Sequence, residues 1–243
     1  MKDLTIAELV RNNTLSAEMA ALLWQAVSEK ISFLTAALYQ NAGKTTLSKA
    51  ILDLHPLSIP LHYVAGSFDV TEKLLKVEKP GGYLVVREFS PADVPGYIWG
   101  PSVQKIFDTL KNGYSLQACI HAKNAEDAIF ELARGNGIND VDMSAVKLVL
   151  YLEMFGTNIA KLKRRLVEIY EVHYVEKGKP VGHPLFKWHE ENDTFEKISD
   201  PHLFARDKEI LKKRKEIIDA LSSFGQTSSE HVQRAVENFG KED

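Results

Sequence analysis

The 243-residue sequence contains little cysteine, little net charge and no long hydrophobic run. Its only cysteine, Cys119, cannot form an intramolecular disulfide or a multi-cysteine zinc site, which fits a reducing compartment. The 30 basic and 33 acidic residues leave a formal charge of −3, which argues against a general nucleic-acid-binding protein. The longest apolar stretches, residues 19–27 and 146–155, are too short to span a bilayer. Because no apolar run of signal-peptide type follows the N-terminal charges, we expect a cytoplasmic protein.

Apolar periodicity alternates between strand-like and helix-like segments through the first 155 residues. Strands separated by helices imply parallel crossover connections, so the sequence predicts a three-layer α/β core. One of the helices is predicted over residues 125–133, closed by Gly135. The predicted strands cover residues 31–38, 61–64, 83–88, 114–120 and 146–154.

The pattern changes after about residue 160. Residues 165–174 alternate as a half-buried strand does, and residues 185–188 and 194–198 are predicted as shorter partners in a C-terminal β-hairpin region. The following segment is helical and mixes acids with bases, which favours a solvent-exposed helix. The sequence therefore predicts a helical lead-in over residues 1–30, a core over residues 31–205 and a charged helical tail over residues 206–243.

A phosphate-binding turn is predicted between the first core strand and the helix after it. The segment reads Asn41-Ala42-Gly43-Lys44-Thr45-Thr46, which carries the second half of the P-loop (Walker A) pattern. Gly43 permits close approach of backbone to phosphate, Lys44 is suited to the β- and γ-phosphates, and Thr45 is the candidate Mg²⁺ ligand. Leu38 stands where the pattern has its first glycine, so a chance Gly-Lys-Thr in an ordinary turn is the alternative.

Two polar side chains at strand ends complete the predicted site. Glu88 ends a buried strand, and at the carboxyl end of a neighbouring strand a carboxylate can activate water for attack on the γ-phosphate. His121 follows the strand over residues 114–120, where it can sense the γ-phosphate. For each residue the alternative is a structural role at the end of a strand. The other histidines, including His173, His183 and His189, lack the spacing of metal ligands, so no histidine metal site is predicted.

With these segments in order, the chain resembles the type II/type IV secretion ATPases, especially the archaeal pilus and archaellum assembly branch. Residues 14–24 resemble the segment that leads into the family's phosphate loop, and residues 83–88 resemble its Walker B strand. Residues 115–125 resemble the histidine box, and residues 165–172, 185–188 and 193–195 resemble the closing hairpin region. Two positions depart from the family pattern: Leu38 replaces the first loop glycine, and Arg87 replaces a small or acidic residue.

The resemblance implies a RecA-like P-loop ATPase that binds ATP and Mg²⁺ and assembles as a homo-oligomer, a hexamer in the family. It implies that Asn41 to Thr46 and His121 bind nucleotide and that Glu88 and Lys44 are catalytic. It also implies a partner that forms a membrane platform, with the ATPase peripheral to the inner face of the membrane. Since about 30 residues precede the first core strand, the expectation is a short, divergent member without the family's N-terminal domain.

Two other functions remain open from the sequence. The chain can be a degenerate module that holds nucleotide without hydrolysing it and regulates a secretion or pilus complex, as Leu38 and the short N-terminal region suggest. A small-molecule kinase shares the phosphate loop, but it needs an acceptor site and a basic lid, and the basic residues after Arg206 are interspersed with acids. The sequence favours the ATPase and leaves turnover itself open.

Overall fold

A computed structural model describes residues 4–65, 68–156, 162–225 and 227–242. Residues 1–3 of the predicted lead-in and residues 226 and 243 of the predicted tail lie outside this part. The helices are α1 (Ile6–Arg11), α2 (Ala17–Ser28), α3 (Lys44–Leu52), α4 (Phe68–Leu74), α5 (Pro101–Leu110), α6 (Ala125–Asn136), α7 (Asp140–Met143), α8 (Lys208–Ser223) and α9 (Ser229–Glu242). The strands are β1 (Phe33–Ala36), β2 (Leu61–Val64), β3 (Tyr83–Phe89), β4 (Tyr97–Ile98), β5 (Ser115–Ile120), β6 (Leu148–Phe155), β7 (Lys163–Glu176), β8 (Lys179–His189) and β9 (Thr194–Lys197).

The strands form one mixed sheet in the order β2-β3-β5-β1-β6-β7-β8-β9, with the short β4 paired to β3. In the sheet, β2, β3, β5, β1 and β6 each pair in parallel with their neighbours in this order. The pairs β6–β7, β7–β8 and β8–β9 are antiparallel. The predicted strand of residues 31–38 is shorter in the structure, and the hairpin strands β7 and β8 are longer than predicted. The predicted C-terminal hairpin region is confirmed.

The sheet separates two hydrophobic layers, which confirms the predicted three-layer α/β class. Successive residues of β1 show the division: Phe33 packs into a core with α1, α2, α3, α8 and α9, and Leu34 packs into a core with α5 and α6. A strand with both faces covered is apolar throughout rather than alternating, and this explains why β1 and β5 are buried along their whole length.

Helix α6 ends later than predicted. It runs through Gly135 to Asn136, and Gly137 is the left-handed residue that caps it, with φ of 67°. Gly135 serves packing instead, since a Cβ there would lie 2.2 Å from Cζ2 of Trp99. The prediction of Gly135 as the cap was therefore wrong, because sequence alone does not separate a glycine needed for its φ from one needed for space.

The charged tail is packed on one side rather than solvated all round. Helix α8 contacts α1 and α2, and it buries Ile218 and Leu221 in the core shared with the lead-in. Arg214 is buried, with its guanidinium 4.8 Å from the ring centroids of both Trp24 and Phe239. The boundaries predicted after residues 30 and 205 stay predictions. In the described parts of the chain, every helix is too short or too polar to cross a bilayer.

Candidate nucleotide-binding site

A cleft of about 1000 Å³ opens at the carboxyl edge of the parallel strands. This is the edge at which α/β sheets bind ligands, and the volume is at the upper end for a small-molecule pocket. The loop from β1 to α3 forms its floor, and the ends of β3 and β5 form one wall. Side chains of the start of β7 form the opposite wall. The eight predicted site residues all line it: Asn41, Ala42, Gly43, Lys44, Thr45, Thr46, Glu88 and His121.

The loop turns into α3 through two residues with positive φ. These are Asn41, with φ of 60°, and Gly43, with φ of 102°. Gly43 also has little space around it, since a Cβ there would lie 3.1 Å from Cδ of Arg164. Leu38 is not among the positive-φ residues, and its side chain is half exposed. The missing first glycine therefore imposes no left-handed strain at that position.

The start of α3 directs unpaired backbone donors into the cleft. Gly43 is the N-cap of the helix and supplies no side-chain cap, so the first-turn N–H groups are left to a ligand or water. The nine residues of α3 add the positive end of a helix dipole at the same point. Thr45 lies on this first turn, where it is exposed and lines the cleft.

Buried hydroxyls fix α3 on the sheet beneath the loop. The Oγ1 of Thr35 on β1 and the Oγ of Ser48 on α3 share a hydrogen bond of 2.8 Å. Ser48 Oγ also lies 3.6 Å from Sγ of Cys119 on β5. Burial raises the pKa of the Cys119 thiol to about 11, so it stays protonated and unreactive at neutral pH. The cysteine is therefore a buried packing residue.

Lys44, Glu88 and His121 converge in the cleft. Lys44 Nζ lies 3.5 Å from Glu88 Oε1 and 3.2 Å from His121 Nε2. His121 Nδ1 lies 3.1 Å from the carbonyl oxygen of Leu38, and this contact helps to fix the orientation of the ring. His121 Nε2 is also 2.7 Å from Glu88 Oε1, although that buried oxygen accepts no hydrogen bond within the described part of the chain. An unsatisfied buried carboxylate oxygen that lines a cleft is ready to accept from water.

The sheet order explains why these three side chains meet. The sequence places Glu88 on a strand beside the phosphate-loop strand, but β5 lies between β1 and β3. That expectation was wrong, because a sequence pattern orders strands along the chain and not across the sheet. The intervening strand is the one that delivers His121 between Lys44 and Glu88.

Both walls of the cleft contain residues that the motifs do not reveal. Arg164, at the start of β7, donates from Nε and Nη2 to the carbonyl oxygen of Asn41 at 3.3 and 3.1 Å. Tyr97 pairs with Glu88 through β4, and burial together with the negative charge of Glu88 raises the pKa of its hydroxyl. Both lie far from the loop in sequence, and an isolated Arg or Tyr has no pattern that would mark it. Arg87 lines the cleft as well, and its Nη1 donates to the carbonyl oxygen of Pro95.

The site arises from one strand-loop-helix unit with Gly43-Lys44-Thr45 at the start of the helix, which is the arrangement of a P-loop NTPase core. No protein-family model matches the chain. An uncharacterised protein of Methanocaldococcus jannaschii is 26% identical over 258 aligned residues, which cover 89% of this chain and 87% of that protein.

Solved structures similar to this chain include a VirB11 ATPase from a type IV secretion system and two ATPases named DotB. The VirB11 ATPase of the Brucella suis type IV secretion system, in complex with sulphate, has a TM-score of 0.48 and 16% identity, covering 70% of this chain and 57% of that one. The ATPase DotB of Yersinia pseudotuberculosis has a TM-score of 0.40 and 12% identity, and the match covers 95% of this chain and 55% of that one. The ATPase DotB of Legionella pneumophila has a TM-score of 0.41 and 13% identity, and the match covers 88% of this chain and 62% of that one. The chain thus spans somewhat more than half the length of these structures.

Proposed function

We propose that the cleft binds ATP with Mg²⁺ and that the protein hydrolyses ATP as a secretion or pilus-assembly ATPase does. The observation that carries this proposal is the meeting of Lys44, Glu88 and His121 above the first turn of α3. Lys44 supplies a cation that can bind phosphate, and Glu88 supplies a carboxylate that can bind water. His121 contacts both side chains.

The residues around the loop fit a triphosphate. The open first turn of α3 offers backbone donors, and Gly43 keeps the approach free of a side chain. Lys44 is 6% exposed, so its charge acts in a medium of low dielectric where an anion is strongly attracted. Thr45 would ligate Mg²⁺, and bound Mg²⁺ would neutralise charge on the phosphate oxygens. Asn41, Ala42 and Thr46 would contact the nucleotide through the loop and the first helical turn.

Glu88 is the residue that we assign to the attacking water. Its Oε1 is buried and accepts no hydrogen bond among the described residues, so it can hold a water and take its proton. As the water oxygen bonds to the γ-phosphorus, the bond from that phosphorus to the β–γ bridging oxygen breaks and ADP leaves. Lys44 turns to the phosphates when nucleotide binds, which loosens its contact with Glu88. His121 contacts Lys44, Glu88 and the carbonyl of Leu38, so it is placed to respond to loss of the γ-phosphate.

The test of hydrolysis compares Mg²⁺-dependent ATP turnover of the wild type with that of Glu88→Gln. Loss of a general base costs on the order of 100-fold or more in rate. Glu131→Gln is the matched control, because Glu131 is an exposed glutamate of α6 away from the cleft, and it should turn over as the wild type does. Equal turnover in all three proteins would remove Glu88 from the mechanism. ATP binding without turnover by the wild type would favour the non-hydrolysing regulatory module instead.

Coupling to an oligomer is the second part of the proposal, and it rests on the resemblance to the secretion ATPases. We propose a homo-oligomer, a hexamer as in that family, in the cytoplasm. A partner that forms a membrane platform would hold it at the inner face of the membrane. Light scattering with and without ATP and Mg²⁺ measures the mass directly. An increase from monomer to oligomer supports a motor, and a monomer under both conditions contradicts it even if ATP binds.

A further inference from the structure

A cluster of metal-binding side chains lies outside the nucleotide cleft. Glu171, His173, His183 and His202 each offer a ligand atom, and these four atoms lie within 4.8 Å of one another. The imidazole centroids are 4.4 to 5.3 Å apart, so the three rings contact one another. In the described ranges, no other group of histidine, cysteine and acidic residues meets this spacing.

Strand pairing brings together residues that are distant in sequence. Glu171 lies directly opposite His183 in the β7–β8 ladder. The register shifts between Val172 and Tyr174, which leaves His173 as an extra residue at a bulge, where strands often redirect a side chain. Gly182 allows the close approach, because a Cβ there would lie 1.9 Å from the carbonyl oxygen of Glu171. The spacing of these histidines along the chain hides the cluster, and this is why the sequence predicts no histidine metal site.

The carboxylate is held in place by the backbone. Glu171 is fully buried and accepts from the N–H of His202 at 2.9 and 3.1 Å and from the N–H of Leu203 at 3.1 Å. Its Oε2 also lies 3.0 Å from Nε2 of His173 and 3.7 Å from Nε2 of His183. A carboxylate has about four acceptor positions, and the backbone bonds take three of them. The fourth, on Oε2, now faces His173 and is the position that a cation would take between the carboxylate and the histidines.

We propose that Glu171, His173, His183 and His202 form a structural Zn²⁺ site. Three imidazole nitrogens and one carboxylate oxygen are borderline ligands that suit Zn²⁺, whereas Mg²⁺ and Ca²⁺ prefer oxygen ligands alone. Four protein ligands fill a tetrahedron and leave no position for a substrate, which is the pattern of a structural site. Tetrahedral ligand atoms are about 3.3 Å apart, so side-chain rotations on the order of 1 Å close the cluster around the ion.

The site is separate from the nucleotide cleft. Glu171 pairs with Leu148 of β6, and Leu148 pairs with Phe33, the first residue of β1. The cluster therefore lies level with the amino ends of the parallel strands, whereas Lys44 follows their carboxyl ends. His202 belongs to the segment between β9 and α8, so a bound ion would tie this segment, and with it α8, to the β7–β8 hairpin.

The test is calorimetric titration of ZnCl₂ into tag-free, chelator-stripped protein. We expect one Zn²⁺ per chain, and a Co²⁺-loaded sample should show the intense visible absorption of tetrahedral Co²⁺. His202→Ala and His183→Ala should each weaken Zn²⁺ binding at least about tenfold. His202 is exposed, and its backbone N–H still donates to Glu171 in the variant, so His202→Ala should keep the fold.

Two control variants separate this site from other zinc-binding positions. His189→Ala removes a partly exposed histidine of the same strand β8, one that contacts Glu196, and it should bind Zn²⁺ as the wild type does. Lys44→Ala should do so too, because it alters only the nucleotide cleft. Zn²⁺ should raise the melting temperature of the wild type and leave that of His202→Ala unchanged. Absence of binding, or equal affinity in wild type, His183→Ala and His202→Ala, overturns the proposal.

Discussion

Two buried glutamates, Glu88 and Glu171, lie level with opposite ends of the parallel strands, and their surroundings differ. Glu88 lies at the carboxyl edge, where Oε1 faces Lys44 and His121 in an open cleft and accepts no hydrogen bond among the described residues. Glu171 lies at the amino edge, where two backbone N–H groups bond its carboxylate. Burial alone therefore does not identify a reactive carboxylate. What distinguishes the two is whether the protein itself satisfies the oxygen atoms.

The largest expected effect is a difference in the free energy of unfolding between the glutamine variants of Glu171 and Glu88. Glu171→Gln removes the buried charge that accepts from the backbone N–H groups of His202 and Leu203, and it replaces half of the acceptor with an NH₂ group. We expect a loss of about 3 kcal/mol in the free energy of unfolding, measured by urea denaturation of metal-free protein. Glu88→Gln also removes the charge that lies 3.5 Å from the Lys44 ammonium, but water in the open cleft can take its place. The loss should therefore be smaller, about 1 kcal/mol. Equal losses in the two variants would erase the distinction.

A glycine pair sharpens the contrast between the cleft and the rest of the fold. Gly43 and Gly113 both have positive φ, 102° and 86°, but only at Gly43 would a Cβ meet a neighbour, Arg164. Alanine at either position should lower the free energy of unfolding by about 1 to 2 kcal/mol through backbone strain. Gly43→Ala should in addition weaken ATP binding, measured by titration, whereas Gly113→Ala should not. A normal ATP affinity in Gly43→Ala would contradict the assigned loop.

A third carboxylate, Asp193, gives the smallest effect and depends on pH. Bidentate bonds of 2.6 and 2.7 Å from the buried Arg165 hold the pKa of Asp193 below its usual 3.8. A lowered pKa in the folded state means that the stabilisation is present above about pH 4 and is lost as the pH falls further. Because Asp193 is a third exposed, Asp193→Asn should cost only about 1 kcal/mol at pH 7. Chemical denaturation of both proteins from pH 7 to pH 3 should show that difference shrinking below pH 4, and a constant difference would refute the assignment.

Local patterns account for much of the nucleotide cleft. The turn at Gly43 and the strand ends at Glu88 and His121 are all read from short segments, because a parallel sheet collects the carboxyl ends of its strands at one edge. Their exact contacts depend on β5 lying between β1 and β3, which no short segment encodes. Arg164 reaches the loop from β7 across a span of 123 residues, and its contribution is visible only in the folded chain.

The histidine cluster shows the limit of sequence spacing more clearly. His183 and His202 are far from the tight separations that mark a zinc motif, and His173 meets them only through a bulge in β7. The buried Arg214 of α8 is a similar case, since its neighbours Trp24 and Phe239 come from both ends of the chain. In each case pairing across the sheet or between terminal helices, rather than a motif, determines what the side chain contacts.

The central claim is that Lys44 holds the phosphates of ATP in the cleft, and calorimetric titration of ATP with Mg²⁺ tests it most directly. The wild type should bind, and Lys44→Ala should bind about 100-fold more weakly, a change of about 2.7 kcal/mol. Lys49→Ala, which alters an exposed lysine of the same helix, should bind as the wild type does. A wild type that binds no ATP, or a Lys44→Ala variant with unchanged affinity, would contradict the account.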